Sequence, residues 1–578
     1  MPVPCQRISA GRIEKAFQIE LKRLRAEKAV ERLWKKDATL WGPNCDAQAA
    51  QDGLGWIGIL ERMIAETASL QAFAAEAGDA GLADVVLLGT GGATLAAEVF
   101  AAAFPAPEGK RFFLLDSTNP DSIRALESQV ELSKTLFVVA SKSGKTLETI
   151  SLFLYFLEAV RTAGIGPSGP HFAAITGAET FISRLGQEYG FRKVFQNAGD
   201  IGGRFSALSY FGLVPAALWW TPLGEVLARA VEMREACGPG GAELNPALHL
   251  AALLSAAEKQ GLHRLVLLAT PKLEPLSCWV QQLIAESTGK ESRGIVPVAG
   301  DVPLLPAVFE RGCVVAMLNC EGEPAGASEA VAGELTGRGV PLVDIRLEDA
   351  RDLGAEFFRW ETATTLAAIA LQVNPFDEPQ ERENRERTGQ LLQHLDRGGG
   401  TFPSATVRLS EGGIELYAEG RTRQEISTLQ LSDALRTFFD LRQQEGYLAL
   451  LAFLDWNREN YELLRGMRVR LAETLGLPVL LARGPRYLHS LGQLFKGGAP
   501  TGIYVMITAE PKEDVPVPGG RYSFGQLLMA QALGDLESLQ RHERPVLRLH
   551  LKQGAAEGLA RLLPVLEHAT ANLRRKNG

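Results

Sequence analysis

Short apolar runs alternate with helix-like segments over much of the chain. The first runs lie at 85–88, 112–115, 136–140 and 171–176. Between two of them, at 147–157, apolar residues recur every three or four positions. Short runs with β-branched residues predict buried strands, and the wider spacing predicts helices. Their alternation predicts a parallel, doubly wound sheet.

A second series repeats this rhythm, with strand-like runs at 264–269, 313–318 and 340–345. The sequence therefore predicts an α/β fold with two related domains, each a parallel sheet flanked by helices. A two-stranded excursion is expected at 403–420. The predicted organisation is an N-terminal helical segment at 1–55, domains at 56–240 and 241–555, and a C-terminal helical tail at 556–578.

Composition narrows the class of protein. The 578 residues are 46% hydrophobic and 22% charged, which is typical of a globular protein with more than one domain. The formal net charge of -8 argues against nucleic acid as a partner. No apolar run reaches the ~20 residues of a membrane span, and the N-terminus has no apolar signal-peptide core. Six cysteines without metal-ligand spacing predict reduced thiols, no metal and a cytoplasmic location.

The loop at 141–146, which reads SKSGKT, joins a predicted strand to a predicted helix. Free backbone N–H groups and the positive end of the helix dipole favour an anion there, phosphate above all. A nucleotide P-loop needs a glycine where Val139 stands, so an ATP or GTP site is not favoured. On this stretch alone, an ordinary surface turn remains an alternative.

A second candidate loop follows the run at 85–88. Gly91 and Gly92 allow backbone to approach a ligand closely. Thr94 breaks the GxGxxG spacing, so a dinucleotide site is weakly supported. Further along, Arg204 comes directly after two glycines and before an apolar helix.

Several segments together resemble the glucose-6-phosphate isomerase (phosphoglucose isomerase) family. In chain order they are GTGGATLAAEVF, SKSGKTLET, GGRFSALSYFGL, AESTGKE and NPFDEP. Two later segments, GPRYLHSLGQLFKGG and FGQLLMAQALGDL, are similar to the isomerase half of bifunctional transaldolase/glucose-6-phosphate isomerase proteins. The resemblance spans about 30–555, and the chain has no room for a transaldolase barrel beside two isomerase domains.

The resemblance implies two sugar-isomerase (SIS) domains, a homodimer, and neither a metal nor an organic cofactor. It implies a small phosphosugar substrate and the reversible conversion of glucose 6-phosphate to fructose 6-phosphate through a cis-enediolate. Glu286 matches the family's base and Arg204 the cation beside the developing oxyanion. Without the family context, a solvated glutamate and a structural ion pair are the alternatives. The resemblance assigns phosphate binding to a set of side chains supported by backbone near the two glycines: Ser141, Lys142, Ser143 and Thr146.

The sequence departs from the family pattern at four positions. Ala93 stands for a serine, Lys145 for a threonine, Arg385 for the catalytic lysine and Phe495 for a histidine. Arginine does not readily exchange a proton. The resemblance also implies a ring-opening histidine between His263 and His394, where this chain has none, so His489 becomes the candidate, with a core histidine as the alternative. These departures leave open a weakened enzyme, a non-catalytic phosphosugar-binding protein, or an isomerase of another phosphosugar such as mannose 6-phosphate.

Overall fold

The computed structural model describes residues 4–42, 45, 47–241, 243–324, 326–399, 402, 407–426, 428 and 430–571. The chain forms two compact units. The first comprises Met1–Asp116, Gln129–Leu304 and Gly312–Asp377, and the second comprises Ser117–Ser128, Leu305–Arg311 and Glu378–Gly578.

The strands are numbered in chain order. They are β1 Cys5–Ser9, β2 Asp84–Gly89, β3 Arg111–Leu115, β4 Thr135–Ser141, β5 Phe172–Thr176, β6 Lys193–Gln196, β7 Arg264–Ala269, β8 Val296–Val298, β9 Cys313–Cys320, β10 Leu342–Leu347, β11 Leu409–Glu411, β12 Ile414–Tyr417, β13 Tyr447–Phe453, β14 Val479–Arg483, β15 Gly502–Ala509 and β16 Val546–Leu551.

The helices are numbered in the same way. They are α1 Glu14–Ala26, α2 Ala29–Trp34, α3 Ala47–Gly53, α4 Ile59–Asp79, α5 Leu95–Ala103, α6 Pro120–Gln129, α7 Leu147–Thr162, α8 Phe181–Glu188, α9 Tyr210–Leu218, α10 Leu223–Cys237, α11 Pro246–Lys259, α12 Glu274–Thr288, α13 Pro306–Phe309, α14 Gly326–Gly337, α15 Leu353–Leu371, α16 Pro379–His394, α17 Gly420–Glu425, α18 Leu431–Phe439, α19 Arg458–Leu475, α20 Leu491–Gly497, α21 Phe524–Arg541 and α22 Ala555–Thr570. Measured against the length and hydropathy that a membrane span requires, no helix among the described residues qualifies.

The first sheet has the order β3-β2-β4-β5-β6, and each neighbouring pair is parallel. Both β2 and β4 are buried along their whole length, as expected for a sheet covered on both faces. The chain steps from β2 outward to β3 and then returns across β2 to β4. The strand order therefore reverses between β2 and β4, where a crevice opens at the carboxyl ends.

The second sheet has the order β1-β10-β9-β7-β8. Its strands from β7 to β10 pair in parallel, whereas β1 pairs with β10 in the antiparallel sense. The prediction of two parallel sheets flanked by helices is confirmed. The N-terminal segment at 1–55, predicted to be helical, also supplies the edge strand of this sheet.

A third sheet lies in the second unit, with the order β11-β12-β16-β15-β13-β14. The stretch 241–555, predicted as one domain, thus contains strands of two separate sheets. These strands form a sheet of their own because β13 pairs in parallel with β14 and β15, and β15 pairs in parallel with β16. Apolar runs of similar length carry no information on which partner each strand takes.

The ends of this last region also differ from the predicted boundaries. The expected excursion at 403–420 contains the hairpin of β11 and β12, while 403–406 lie outside the described residues. Within the predicted tail at 556–578, α22 buries Leu559, Leu562 and Leu566 in the core of the third sheet. Residues 572–578 lie outside the described part of the chain.

Candidate active site

Two loops leave the first sheet side by side at the crevice. Gly89 at the end of β2 pairs with Ala140 near the end of β4. The 3-10 turn Gly91–Ala93 follows β2, and the loop 142–146 follows β4. Because the strands are parallel neighbours, both loops meet at one edge, where open α/β sheets bind their ligands.

The loop 141–146 is held by its own hydroxyl groups. The Ser141 and Thr146 hydroxyl oxygens lie 2.8 Å apart, and the Gly144 N–H donates to Ser141 Oγ at 3.1 Å. Gly144 has a φ of +62°, and a Cβ there would lie 2.5 Å from Thr180 Cβ, so this turn requires glycine. Thr146 makes no side-chain cap to the first turn of α7. The N-terminus of this 16-residue helix is a place that favours an anion.

The glycine turn after β2 packs directly on the segment that carries Arg204. A Cβ on Gly92 would lie 2.2 Å from the carbonyl carbon and oxygen of Gly203. The Ser206 hydroxyl donates to the carbonyl oxygens of Gly92 at 3.2 Å and Gly203 at 2.6 Å. Gly91 has a φ of +61°, the left-handed region that favours glycine. Both glycines are therefore needed for the close contact.

Arg204 and Glu286 form a buried ion pair. Arg204 lies on the 3-10 turn Gly203–Phe205, and Glu286 lies in the last turn of α12. Arg204 Nη1 is 3.4 Å from Glu286 Oε2, and both residues are 4% exposed. Gln282, one helical turn earlier, donates to the same oxygen at 3.4 Å. Two charges removed from water in this way compensate each other, and the carboxylate stays beside the cation.

The same guanidinium also holds the turn at 374–377. Arg204 Nη2 donates to the carbonyl oxygens of Pro375 at 2.7 Å and Asp377 at 3.0 Å, and Nε donates to Ser287 Oγ at 3.2 Å. Lys290 holds the same turn, because its ammonium lies 2.7 Å from Asp377 Oδ1 and donates to the Asn374 carbonyl oxygen. Sequence reasoning missed Lys290, although it ends the matched segment Glu286-Ser287-Thr288-Gly289-Lys290.

The remaining predicted residues lie in the second unit. His489 Nδ1 is 2.9 Å from Glu381 Oε1, and Arg385 Nη2 is 3.7 Å from the same oxygen. Glu381 and Arg385 are one turn apart on α16, and His489 ends the 3-10 turn Arg486–His489. The structure thus gathers the predicted residues into two groups, one in each unit. Sequence reasoning missed Glu381, which could be found only from its position one turn before Arg385.

Phe495, the departure from histidine, is part of an aromatic cluster in the second unit. It is 1% exposed, with its ring 5.2 Å from that of Tyr504 and 5.9 Å from that of Tyr487. Its neighbour Lys496 is buried as well and lies 2.5 Å from Asp535 Oδ1. Among the described residues, no group of three or more His, Cys, Asp or Glu side chains could hold a metal ion.

Comparison with known proteins shows which family the chain belongs to. The family model for phosphoglucose isomerase matches residues 60–296. A protein of Natronomonas pharaonis, named a probable glucose-6-phosphate isomerase, is 30% identical over 361 residues, which cover 56% of this chain and 80% of that protein. The chain belongs to the phosphoglucose isomerase family. A glucose-6-phosphate isomerase of Synechococcus sp. is 28% identical over 57% of this chain and 71% of its own length. The finer resemblance to bifunctional transaldolase proteins stays a prediction.

Solved structures agree with this fold. A crystal structure of a hypothetical protein from Thermus thermophilus is 26% identical, with a TM-score of 0.58, covering 68% of this chain and 100% of that one. A glucose-6-phosphate isomerase structure from Chlamydia trachomatis is 19% identical, with a TM-score of 0.55, over 69% of this chain and 89% of that one. The phosphoglucose isomerase architecture of two sugar-isomerase sheets is therefore present.

Proposed function

We propose that this chain is a glucose-6-phosphate isomerase that interconverts glucose 6-phosphate and fructose 6-phosphate. The observation that carries the proposal is the buried pair of Arg204 and Glu286, 3.4 Å apart, on a backbone packed against the glycine turn. Family membership supplies the reaction, and both residues match the family's functional positions. The protein is thus an aldose-ketose isomerase, and the alternative of a non-catalytic phosphosugar-binding protein is not favoured.

Each site residue has a role in the proposed mechanism. The loop 141–146, with side chains Ser141, Lys142, Ser143 and Thr146, binds the phosphate at the start of α7. Gly91 and Gly92 bring backbone close to the substrate. Glu286 moves a proton between C2 and C1, as a positioned carboxylate can. Arg204 keeps its charge throughout and stabilises the enediolate oxygen.

Ring opening is assigned to the second group of residues. The contact of 2.9 Å between His489 Nδ1 and Glu381 Oε1 orients the imidazole ring, and histidine is the usual side chain for proton exchange near neutral pH. Arg385, half exposed at 51%, holds its protons too tightly for this work and serves as a fixed positive charge. We further infer a homodimer and a cytoplasmic location, as the family resemblance and the reduced cysteines imply.

The proposal is tested by a coupled assay in both directions, together with solvent exchange of the C2 proton. We expect wild-type turnover of both phosphosugars. Glu286→Gln should lower both turnover and exchange by roughly 100- to 10,000-fold, because the amide keeps the shape and loses the base. Binding of 5-phosphoarabinonate, an enediolate mimic, should change by less than about threefold, since the phosphate loop is untouched.

The matched control is Glu291→Gln, an exposed glutamate in the same segment, which should leave turnover unchanged. Exchange that survives in Glu286→Gln would remove the base assignment. A wild-type protein that binds 5-phosphoarabinonate without turning over either sugar would favour the non-catalytic alternative. In the same assay, His489→Gln should slow cyclic substrate more than C2 exchange, whereas equal slowing of both would contradict the ring-opening role.

A further inference from the structure

The third sheet has a reversal of strand order of its own. The chain passes from β13 outward to β14 and then returns across β13 to β15, which continues to β16. All three neighbouring pairs are parallel. A crevice therefore opens between the carboxyl ends of β13 and β15, the place where open α/β sheets bind ligands.

A cavity of about 410 Å³ occupies this crevice, entirely within the second unit. Phe453 at the end of β13 lines it, together with residues 508–514 at and after the end of β15, the first two turns of α21, and Asn119, Pro120 and Phe402. The volume falls in the range of about 300–1,000 Å³ that is usual for small-molecule sites. None of the lining residues belongs to the isomerase site described above.

The start of α21 does not make this cavity an anion site. The Gly525 N–H donates to Asp514 Oδ1 at 2.7 Å, and the Ser523 hydroxyl donates to Asp514 Oδ2. An internal carboxylate thus already occupies the positive end of the helix dipole. A phosphate or carboxylate ligand would meet a like charge at the position it would otherwise prefer.

The charges around the cavity are mainly negative. Glu510, Glu513 and Asp514 line it, with Lys512 as the one lining cation among the described residues. Two further cations contact the lining: Arg124 pairs with Glu513, and Lys552 Nζ lies 3.9 Å from Glu510 Oε1. Two more carboxylates lie just outside. Asp455 follows β13 and accepts a hydrogen bond of 2.6 Å from Ser122, and Asp121 accepts from the Lys512 N–H at 3.4 Å. Burial raises the pKa of Asp121 above its usual value, and the negative charge of nearby Asp455 adds to this effect. These five carboxylates outnumber the three cations Lys512, Arg124 and Lys552, so a positive ligand would balance the remaining negative charge.

The apolar lining limits what that cation can be. Phe453, Pro511, Leu528 and Met529 provide apolar surface, and the described carboxylates form no group able to hold a metal ion. We propose that the cavity binds a small amphipathic amine. Its ammonium group would face the carboxylates, and its apolar part would be about the size of one aromatic ring. The proposal is independent of the isomerase reaction.

The test compares two probes of similar size and opposite charge on the full chain. Calorimetry measures the binding of phenethylamine and of 3-phenylpropionate under one buffer and salt. We expect the amine to bind at least about tenfold more tightly, a ratio that corresponds to about 1.4 kcal/mol. Equal affinities, or tighter binding of the carboxylate, would overturn the proposal.

Two variants locate the site. Ala509→Trp fills the cavity and should abolish binding of the amine, while Glu510→Gln/Glu513→Gln should weaken it about fivefold or more by removing two of the lining charges. The control pair Glu462→Gln/Glu557→Gln removes two exposed charges elsewhere in the second unit and should leave binding unchanged. If Ala509→Trp does not fold, the charge pair decides alone. Binding that is unaffected by Glu510→Gln/Glu513→Gln, or weakened equally by the control pair, would refute the assigned site.

Discussion

At the scale of single residues, Arg204 joins three parts of the first unit. Its backbone lies against Gly92, its Nη1 faces Glu286 and its Nη2 donates to two carbonyl oxygens of the turn at 374–377. Since all these partners are backbone groups or buried side chains, the guanidinium is held in one position, as the proposed mechanism requires. Charge held in place in this way stabilises a transition state without the cost of reorganisation.

The contact between Gly92 and Gly203 gives a prediction at this scale. Gly92→Ala places a Cβ 2.2 Å from the Gly203 carbonyl, a distance that forces the backbone to move. We expect isomerase turnover to fall by more than about 100-fold, because a shift of about 1 Å at a site can cost this much. Gly203→Ala is the matched control, since a Cβ there meets nothing within 4 Å. Equal activity of the two variants would show that the contact does not position Arg204.

How much of the site the sequence can reveal depends on how local the signal is. Residue type and spacing alone predict the loop 141–146, because its hydroxyl groups contact one another within a short stretch of chain. The family resemblance is needed to select Glu286 and Arg204. The pairing of Lys290 with Asp377 joins distant parts of the chain, so no local pattern predicts it.

At the scale of elements, three helices of the second unit are joined by a buried polar network. Asp535 on α21 accepts from Lys496 on α20, from the Tyr487 hydroxyl at 2.5 Å and from Asn384 on α16 at 3.4 Å. Asn384 directly precedes Arg385. The network therefore fixes the position of α16, the helix that carries Glu381 and Arg385. Phe495 fills apolar space beside this network, which explains how an aromatic ring is accommodated there.

Removing the cation should expose the cost of this network. Lys496→Met removes the ammonium group that lies 2.5 Å from the Asp535 carboxylate, which stays buried. We expect the free energy of unfolding to drop by about 3–5 kcal/mol, as for other broken buried pairs. Adding Asp535→Asn removes the stranded charge and should restore part of the loss.

Denaturant unfolding followed by tryptophan fluorescence measures both variants. Arg465→Met is the control, because Arg465 and Glu462 form an exposed pair at 3.6 Å whose loss should cost less than about 1 kcal/mol. If the double variant is no more stable than Lys496→Met, the penalty comes from lost packing and not from the unpaired carboxylate.

At the same scale, the sequence predicts strands better than sheets. The apolar runs at 264–269 and 313–318 correspond to β7 and to most of β9. By contrast, the predicted second domain merges the third sheet with the second, because strand pairing depends on contacts between distant segments. The antiparallel edge strand β1 escapes prediction since Gln6 and Arg7 interrupt its apolar pattern.

At the scale of the whole molecule, helix α15 forms the centre of the first unit's core. It packs against α10, α11 and α12, and almost all of its residues are buried, from Leu353 to Leu371. A helix buried on all sides is normally apolar. Here it also carries Glu356, Arg359 and Glu361, each at most 1% exposed. Arg359 lies 3.3 Å from Glu356, whereas burial alone raises the pKa of Glu361 well above its usual value.

The sign of the resulting pH dependence follows from this raised pKa. Folded protein keeps a proton on Glu361 at pH values where the unfolded chain, with a pKa of about 4.3, has released it. The stabilisation that protonated Glu361 contributes is therefore fully present below the unfolded pKa of about 4.3, and it is lost as pH rises toward the folded pKa. Burial also raises the pKa of Glu356, to about 7, so this second group acts in the same direction.

Glu361→Gln isolates the contribution of one carboxyl group to the stability of the whole first unit. The amide does not ionise, so the variant should match wild type near pH 4 and become the more stable protein at higher pH. The gap should widen by about 1.4 kcal/mol per pH unit until the folded pKa is reached. Glu356 is present in both proteins, and its effect therefore cancels in the difference. Denaturant unfolding at pH 5, 6, 7 and 8 measures the gap, with the exposed Glu291→Gln as the variant that should show none. Parallel stability curves for wild type and Glu361→Gln would mean that Glu361 is ionised in the folded protein, with its charge compensated inside the core.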